Sequence, residues 1–488
     1  MILLIIFLLP FITGLFLMFF RNPATARLIA LTSAVANFLM TLFLILSASS
    51  AAYSSDGVNC MGTQFALGYD GISLIMLFVT NLIFPFILLS GVGRKQEQVH
   101  ILNLLILFTQ TALIGVFLAQ NAFLFYIFWE LTLIPIYFIL LLWGDENRRT
   151  ITLKFFIYTL TGSLFLLFGI IYLFQLTPGV HSTDFSAFNQ LNIPANTQIW
   201  LFWILFIAFA IKMPVFPFHT WQPSTYTIAP TQGVMILAGV MTKMGIYGTL
   251  RFLFPIVPSG VHYWQNTVIV LSLTGVIYAS IIAFRQTNLK KLIAFSSMAH
   301  ISLMVAAMFV INSYAFEGLL LQVISHGVTI VALFYLVYII KEKTGTFELS
   351  EMGGIKHYAP NMAILLLIVV LGSIALPLTA GFVGEFLMIT GLFKQSIWFA
   401  FVGGTAMILG AIYMLYAFQR IMLGDKNPDF KSIQDIRTLD YLILIPLIVV
   451  ILILGIYPQP IFNLLEESVS SMQKLSIPIA QVITALTH

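Results

Sequence analysis

Charged residues make up only 8% of this 488-residue chain, against about 25% in soluble globular proteins, and that shortage excludes an ordinary water-soluble enzyme. Cysteine is nearly absent. Cys60 stands alone, so an internal disulfide, a CxxC redox pair, an iron–sulfur cluster held by four thiolates and a Cys-rich zinc site are all excluded. The chain has no GxxxxGK stretch and no complete GxGxxG, and no metal-ligand spacing joins its histidines, which leaves no nucleotide, flavin or metal site to assign. The basic excess is small. Lys and Arg number 22 against 18 acidic residues, a net charge of +4, and they sit in short loops rather than in the long patch that nucleic acid requires.

What the chain has instead is apolar sequence, 60% of its residues. Runs of about 20 apolar residues, the length that spans a bilayer as a helix, recur fourteen times, near 2–20, 26–47, 70–92, 98–119, 121–143, 152–175, 198–225, 230–254, 264–285, 290–312, 315–340, 361–394, 398–421 and 440–457. The fold class expected is an all-α polytopic membrane protein. The first span has no basic n-region and ends at Arg21 rather than at a small-residue cleavage site, so it reads as a retained helix and not as a signal peptide.

Seventeen of the 22 basic residues, from Arg21 to Arg437, lie beside loops that follow odd-numbered spans; only Arg251, Lys394 and Lys474 lie on the opposite side, and Lys212 and Lys243 fall inside spans. Because Lys and Arg accumulate on the cytoplasmic side, both termini are expected to face outward, which for a bacterial inner membrane is the periplasm.

An ionisable side chain at the bilayer centre costs roughly 2.5–3.5 kcal/mol on insertion scales and commonly marks an ion or proton pathway. Four stand out: Glu130, Lys212, Lys243 and Glu385, each flanked by apolar or small residues. One such residue is equally well a structural ion pair, but four of mixed sign in separate spans favour a pathway. Pro214 and Pro217 should break the seventh span just after Lys212, and Pro377, Gly381 and Gly384 the twelfth just before Glu385. Paired broken helices are the mark of an inverted-repeat transporter. The two breaks are five spans apart, so helices 4–8 (residues 98–254) would correspond to helices 9–13 (residues 264–421), with 1–92 and 422–488 as flanking segments. His219, His300 and His326 also fall in or beside apolar segments, and histidine titrates near neutrality; a lone histidine on an apolar face is more often a hydrogen-bonded core residue, and His300 is raised by lying in the repeat partner of the helix that carries Glu130.

Over nearly its whole length the chain resembles the antiporter-like membrane subunits of respiratory complex I, the proton-pumping NADH:quinone oxidoreductase. The resemblance rests on YDGISL from Tyr69, FWELTLIPIYF around Glu130, IKMPVFPFHTW around Lys212, ILAGVMTKMGIYG around Lys243, RQTNLKKLIAFSSMAHIS and GFVGEF. It implies that Glu130 and Lys212 form a modulating carboxylate–lysine pair, that Lys243 is the central relay lysine and that Glu385 is the proton carrier of the second half, with His219, His300 and His326 as candidate relays. Several members of the family carry lysine where Glu385 stands. The sequence departs from the family in QPSTYTIAPT, which lacks the usual acidic residues, and in Asn288, where aspartate is usual.

The resemblance also implies that this chain holds no cofactor, and that NADH, FMN, iron–sulfur clusters and quinone belong to partner subunits of a hetero-oligomer, with other complex I membrane subunits as neighbours. A lysine at its reference pKa near 10.4 holds its proton throughout the physiological range. A relay lysine therefore needs burial to loosen that hold and a carboxylate to restore it. The expected function is proton translocation along a buried Glu/Lys/His axis, driven from outside the chain. A chain of a multi-subunit sodium/proton antiporter and a non-transporting scaffold are the alternatives.

Overall fold

The computed structural model describes residues 1–47, 52–54, 58–60, 63–94, 96–179, 181–425, 430 and 433–474. Lys95, Lys426 and Lys431, counted above in the charge asymmetry, lie outside the described residues. Among the described residues twelve helices are long and apolar enough to cross a membrane, and the first and twelfth of the fourteen expected spans fall on shorter helices. The helices at the fourteen spans are α1 (Ile2–Leu17), α2 (Pro23–Ser47), α3 (Gly71–Leu89), α4 (Val99–Leu118), α5 (Ala122–Trp143), α6 (Arg148–Leu176), α7, α8 (Thr231–Ile256), α9 (Pro258–Arg285), α10 (Leu289–Met308), α11 (Ser313–Thr344), α12, α13 (Ile397–Met422) and α14 (Thr438–Ile456). As the prolines require, α7 is split into α7a (Ala195–Lys212) and α7b (Gln222–Ile228), and α12 into α12a (Pro360–Ser373) and α12b (Ala380–Gln395). Two features had no counterpart in the sequence reading. Two short antiparallel strand pairings lie between α2 and α3, and a further helix, α15 (Gln459–Lys474), follows α14.

Many helices start where a short polar side chain satisfies an orphan amide. Asp70 accepts from Ser73 N at 2.8 Å to open α3, Asn121 from Leu124 N at 2.7 Å to open α5, and Asn312 from Ala315 N at 2.9 Å to open α11. Asn288 accepts from the amides of Lys290 and Lys291 and so fills the cap of α10 in place of the usual aspartate.

The chain forms two compact units. One comprises, among the described residues, those of 1–213, 240–267 and 464–474. In it α1–α4 are tied together by a buried amide chain: Asn37 donates to Ile6 O (3.0 Å), Asn81 to Thr41 Oγ1 (2.7 Å) and Gln110 to Asn81 Oδ1 (2.8 Å). Side-chain hydrogen bonds of this kind bind helices where no hydrophobic drive separates protein from lipid. The α15 backbone at Leu464 lies so close to Gly71 that no Cβ fits there.

The second unit comprises residues 214–239 and 268–463. Its central element is the 32-residue α11, packed on α12b along a seam of small residues. Gly318 faces Gly384 O and Met388 N, and Gly391 faces Ala315, so the two backbones approach as only small residues allow. Between α12a and α12b, Ala375 and Leu378 adopt left-handed φ values of 55° and 76°, each strained by about 1–3 kcal/mol.

Candidate functional site

The ionisable residues singled out in the sequence fall into a group in each unit. In the first, Pro135 cannot donate to Leu131 O, so α5 turns at Thr132, whose hydroxyl bonds Trp129 O at 2.8 Å. Glu130 sits on this turn, half-buried, with Oε1 making no hydrogen bond. Tyr126, one helical turn earlier, lies within hydrogen-bonding reach of Glu130 and Ser163.

Lys212 is the last residue of α7a and is 4% exposed, a position where the helix dipole favours a cation. Its ammonium lies 5.4 Å from the centroid of the Trp129 ring, and that ring in turn meets Phe209 edge-on at 5.6 Å. The charge of Glu130 reaches Lys212, but the ammonium's own close neighbour is the indole beside it. A cation over a desolvated Trp face gains about 2 kcal/mol, which holds the lysine in place whatever the state of the carboxylate.

Lys243 is 1% exposed and begins a short α-helical stretch, Lys243–Gly248, between two π-helical segments, Leu237–Met241 and Thr249–Leu253. π-Bulges widen a helix and occur often at functional sites. Gly245 lies against Met213 and Phe209 O, and Gly248 against the Phe209 ring. The two glycines therefore set the lysine-bearing turn of α8 directly on the end of α7a that carries Lys212. Farther along α8, Tyr247 donates to Phe117 O at 2.9 Å and Arg251 pairs with Asp70 at 2.7 Å.

In the second unit Glu385 is 1% exposed. Its Oε1 bonds both His300 Nδ1 (2.8 Å) and Gln322 Nε2 (3.1 Å), whereas Oε2 is buried and makes no hydrogen bond. The His300 and His326 rings are 5.9 Å apart, and both line a polar cavity of ≈ 20 Å³ with Ser296, Ser297, Ser325, Thr329 and Ser373, room for one or two waters. Tyr413 donates to Ser296 Oγ at 3.1 Å at its edge. His219 is elsewhere. It is stacked on Phe216 at 5.7 Å and edge-on to Tyr278 at 5.0 Å and does not line this cavity.

The structure thus brings Glu385, His300 and His326 together with Gln322 and with Tyr413 through Ser296, and in the first unit it sets Tyr126 beside Glu130; sequence reasoning missed Gln322 and both tyrosines. Gln322 had one visible signal, an amide inside the apolar run LLLQVISHG. The two tyrosines had none, since each looks like any aromatic in a membrane helix.

Residues 119–410 match the family described as NADH:quinone oxidoreductase/Mrp antiporter, transmembrane. NADH-quinone oxidoreductase subunit M of Rickettsia typhi is 34% identical over 481 residues, covering 95% of this chain and 97% of the relative. A chain of respiratory complex I from Thermus thermophilus with bound NADH superposes with a TM-score of 0.90 at 26% identity, covering 98% of this chain and all of that one. A chain of the Mrp complex from Dietzia sp. DQ12-45-1b shares the fold, with a TM-score of 0.81 at 20% identity over 98% of this chain and 52% of that one. With a match of this extent in family and in full-length relatives, the chain belongs to the NADH:quinone oxidoreductase/Mrp antiporter membrane family, on the branch of the subunit M proteins.

Proposed function

We propose that this chain is the M-type proton-translocating subunit of a bacterial NADH:quinone oxidoreductase, a multi-pass membrane protein whose termini face the periplasm. One observation carries the reading. Glu385, buried in a broken membrane helix, bonds His300 and Gln322 through one oxygen and makes no hydrogen bond through the other, and both of those partners line a water-sized polar cavity. An unsatisfied buried acceptor costs about 1–3 kcal/mol, and a proton or a water bound at Oε2 would relieve that cost.

In this reading Glu130 modulates Lys212 through space, Lys212 and Lys243 exchange protons at their ammonium groups, and Glu385 takes up and returns a proton with His300 and His326 as neighbours. His219, enclosed by aromatic rings, takes the lesser part. The repeat correspondence of helices 4–8 with 9–13 supplies the reason for two broken helices. The energy comes from NADH oxidation and quinone reduction, with FMN and iron–sulfur clusters in partner subunits and other complex I membrane subunits at this chain's sides. It reaches these residues as a conformational or electrostatic signal.

The test is purification of the native assembly, followed by reconstitution in vesicles. Flavin and iron–sulfur subunits should co-purify, and NADH-driven proton transport should fall in Glu385→Gln while NADH oxidation persists. An assembly without flavin subunits that exchanges sodium for protons would identify an antiporter chain instead. Full transport in Glu385→Gln would make the buried charges scaffold.

A further inference from the structure

We propose that Gln322 is the positioning residue for Glu385, fixing Oε1 so that Oε2 is the atom that gains and loses the proton. The inference rests on the reading of Glu385 as a proton carrier. It starts from an asymmetry: both donors that reach Glu385, His300 Nδ1 and Gln322 Nε2, converge on Oε1, and none reaches Oε2. Two donors on one oxygen pin the carboxylate plane, because rotating it would break both bonds at once.

The packing shows that the amide is built into place. Gln322 is 3% exposed on α11, and Gly384, the residue before Glu385, is the position it packs against. A Cβ at Gly384 would stand 2.6 Å from Gln322 Oε1 and 3.1 Å from its Cβ. Gly318, one turn earlier on α11, faces Gly384 O in the same seam. Glycine at 384 therefore admits the amide, and the amide holds the carboxylate that follows it in the chain.

Gln322 Oε1 is itself buried without a hydrogen-bond partner. An amide carries donors on one side and an acceptor on the other. With Glu385 ionised, the Gln322 N–H donates to Oε1. When a proton binds, a new O–H bond forms at Oε2, the carboxylate becomes a neutral acid, and the bond from Gln322 weakens because its acceptor has lost its charge. The same proton leaves from Oε2 and the charge-assisted bond is restored. Gln322 thus bonds the ionised form more strongly than the acid, and removing it takes away a contact that aids proton release.

The experiment uses the complete complex in vesicles with Gln322→Met, which keeps volume and loses the donor, and Gly384→Ala, which displaces the amide without altering it. Both should oxidise NADH normally. Both should lose proton transport at neutral pH by about tenfold, the scale set by one charge-assisted hydrogen bond, and recover it as the pH is raised. The infrared band of the protonated carboxyl, identified by its loss in Glu385→Gln, should persist to higher pH in both. A pH profile and carboxyl band unchanged from the parent in Gln322→Met, with Glu385→Gln still defective, would overturn the positioning role alone. Normal transport in Glu385→Gln would overturn the carrier reading beneath it. If Gln322→Met fails to assemble, Gly384→Ala gives the same two readouts and decides between the same outcomes.

Discussion

The ammonium of Lys212 lies 5.4 Å from the centre of the Trp129 ring, the residue that precedes Glu130. The lysine is therefore held by an aromatic face and influenced by a carboxylate, two interactions that a mutation can separate. Glu130→Ala removes the influence and keeps the seat, so the complex should assemble while proton transport drops about tenfold, the equivalent of one lost charge interaction near 1.4 kcal/mol. Glu130→Asp keeps the charge on a shorter arm and should recover part of the transport. Equal assembly and unchanged transport in reconstituted vesicles for the alanine variant would return Glu130 to a structural role.

Gly245 predicts a packing effect rather than a charge effect. A Cβ there would meet the Met213 side chain and stand 2.7 Å from Phe209 O, and backbone cannot move aside as a side-chain end can. Gly245→Ala should destabilise the complex by about 1–3 kcal/mol, the cost of overpacking, seen as a lower midpoint in thermal unfolding. Gly404, with nothing within 4 Å of a Cβ, is the control: Gly404→Ala should leave the midpoint unchanged or raise it, since glycine is a poor helix former.

The fourteen spans and the two helix breaks were legible in the sequence because their causes are local. Twenty apolar residues in a row have one stable solution in lipid, and Pro214, Pro217 and Pro377 act on their own neighbours. Glu385 was legible for the same reason, as a charge in an apolar run. Its partners were not. Gln322 is 63 residues away and His300 85, and nothing in a one-dimensional pattern states that Gly318, Gly384 and Gly391 line one seam. The π-helical segments flanking Lys243 were equally invisible, since ILAGVMTKMGIYG reads as an ordinary helix. The short helix α15 escaped because its apolar residues are too few for a span and make sense only against Gly71.

Lys290 opens α10 with its ammonium on Thr227 O (2.8 Å) and Ala229 O (2.7 Å), the carbonyls that end α7b. A cation on the last carbonyls of a helix satisfies them and complements the dipole. Lys290→Met should leave those carbonyls unpaired and loosen α7b, a loss of about 2 kcal/mol on the scale of hydrogen bonds to charged groups. Hydrogen exchange of the amides in 222–228 should speed up by tenfold or more, with α11 unaffected. Unchanged exchange would mean that packing alone holds α7b.

The proposed sidedness rests on the charge asymmetry. Arg149, at the start of α6, belongs to the basic side, and Asn192 lies exposed in the connection from α6 to α7a. In a background free of Cys60, Arg149→Cys should be labelled by an impermeant thiol reagent only from the cytoplasmic face, and Asn192→Cys only from the periplasm. Labelling of both from one face would contradict the fourteen-span topology.

Lys243 offers the sharpest distinction between a group that moves protons and one that only places charge. It is buried to 1% exposure in a short α-helical stretch between two π-helical segments and fixed against α7a through Gly245 and Gly248. Arginine at this position would keep the positive charge but stay protonated under all working conditions, and its planar fork demands room that an ammonium does not. If the lysine cycles between charged and neutral forms, Lys243→Arg should pump almost as poorly as Lys243→Ala, both at least about tenfold below the parent. If the lysine acts only as a fixed charge, arginine should restore transport and alanine should not. Proton transport and quinone-linked NADH oxidation, measured together at several pH values, separate the two. A relay predicts NADH oxidation without transport in both variants, whereas a fixed charge predicts transport in the arginine variant alone.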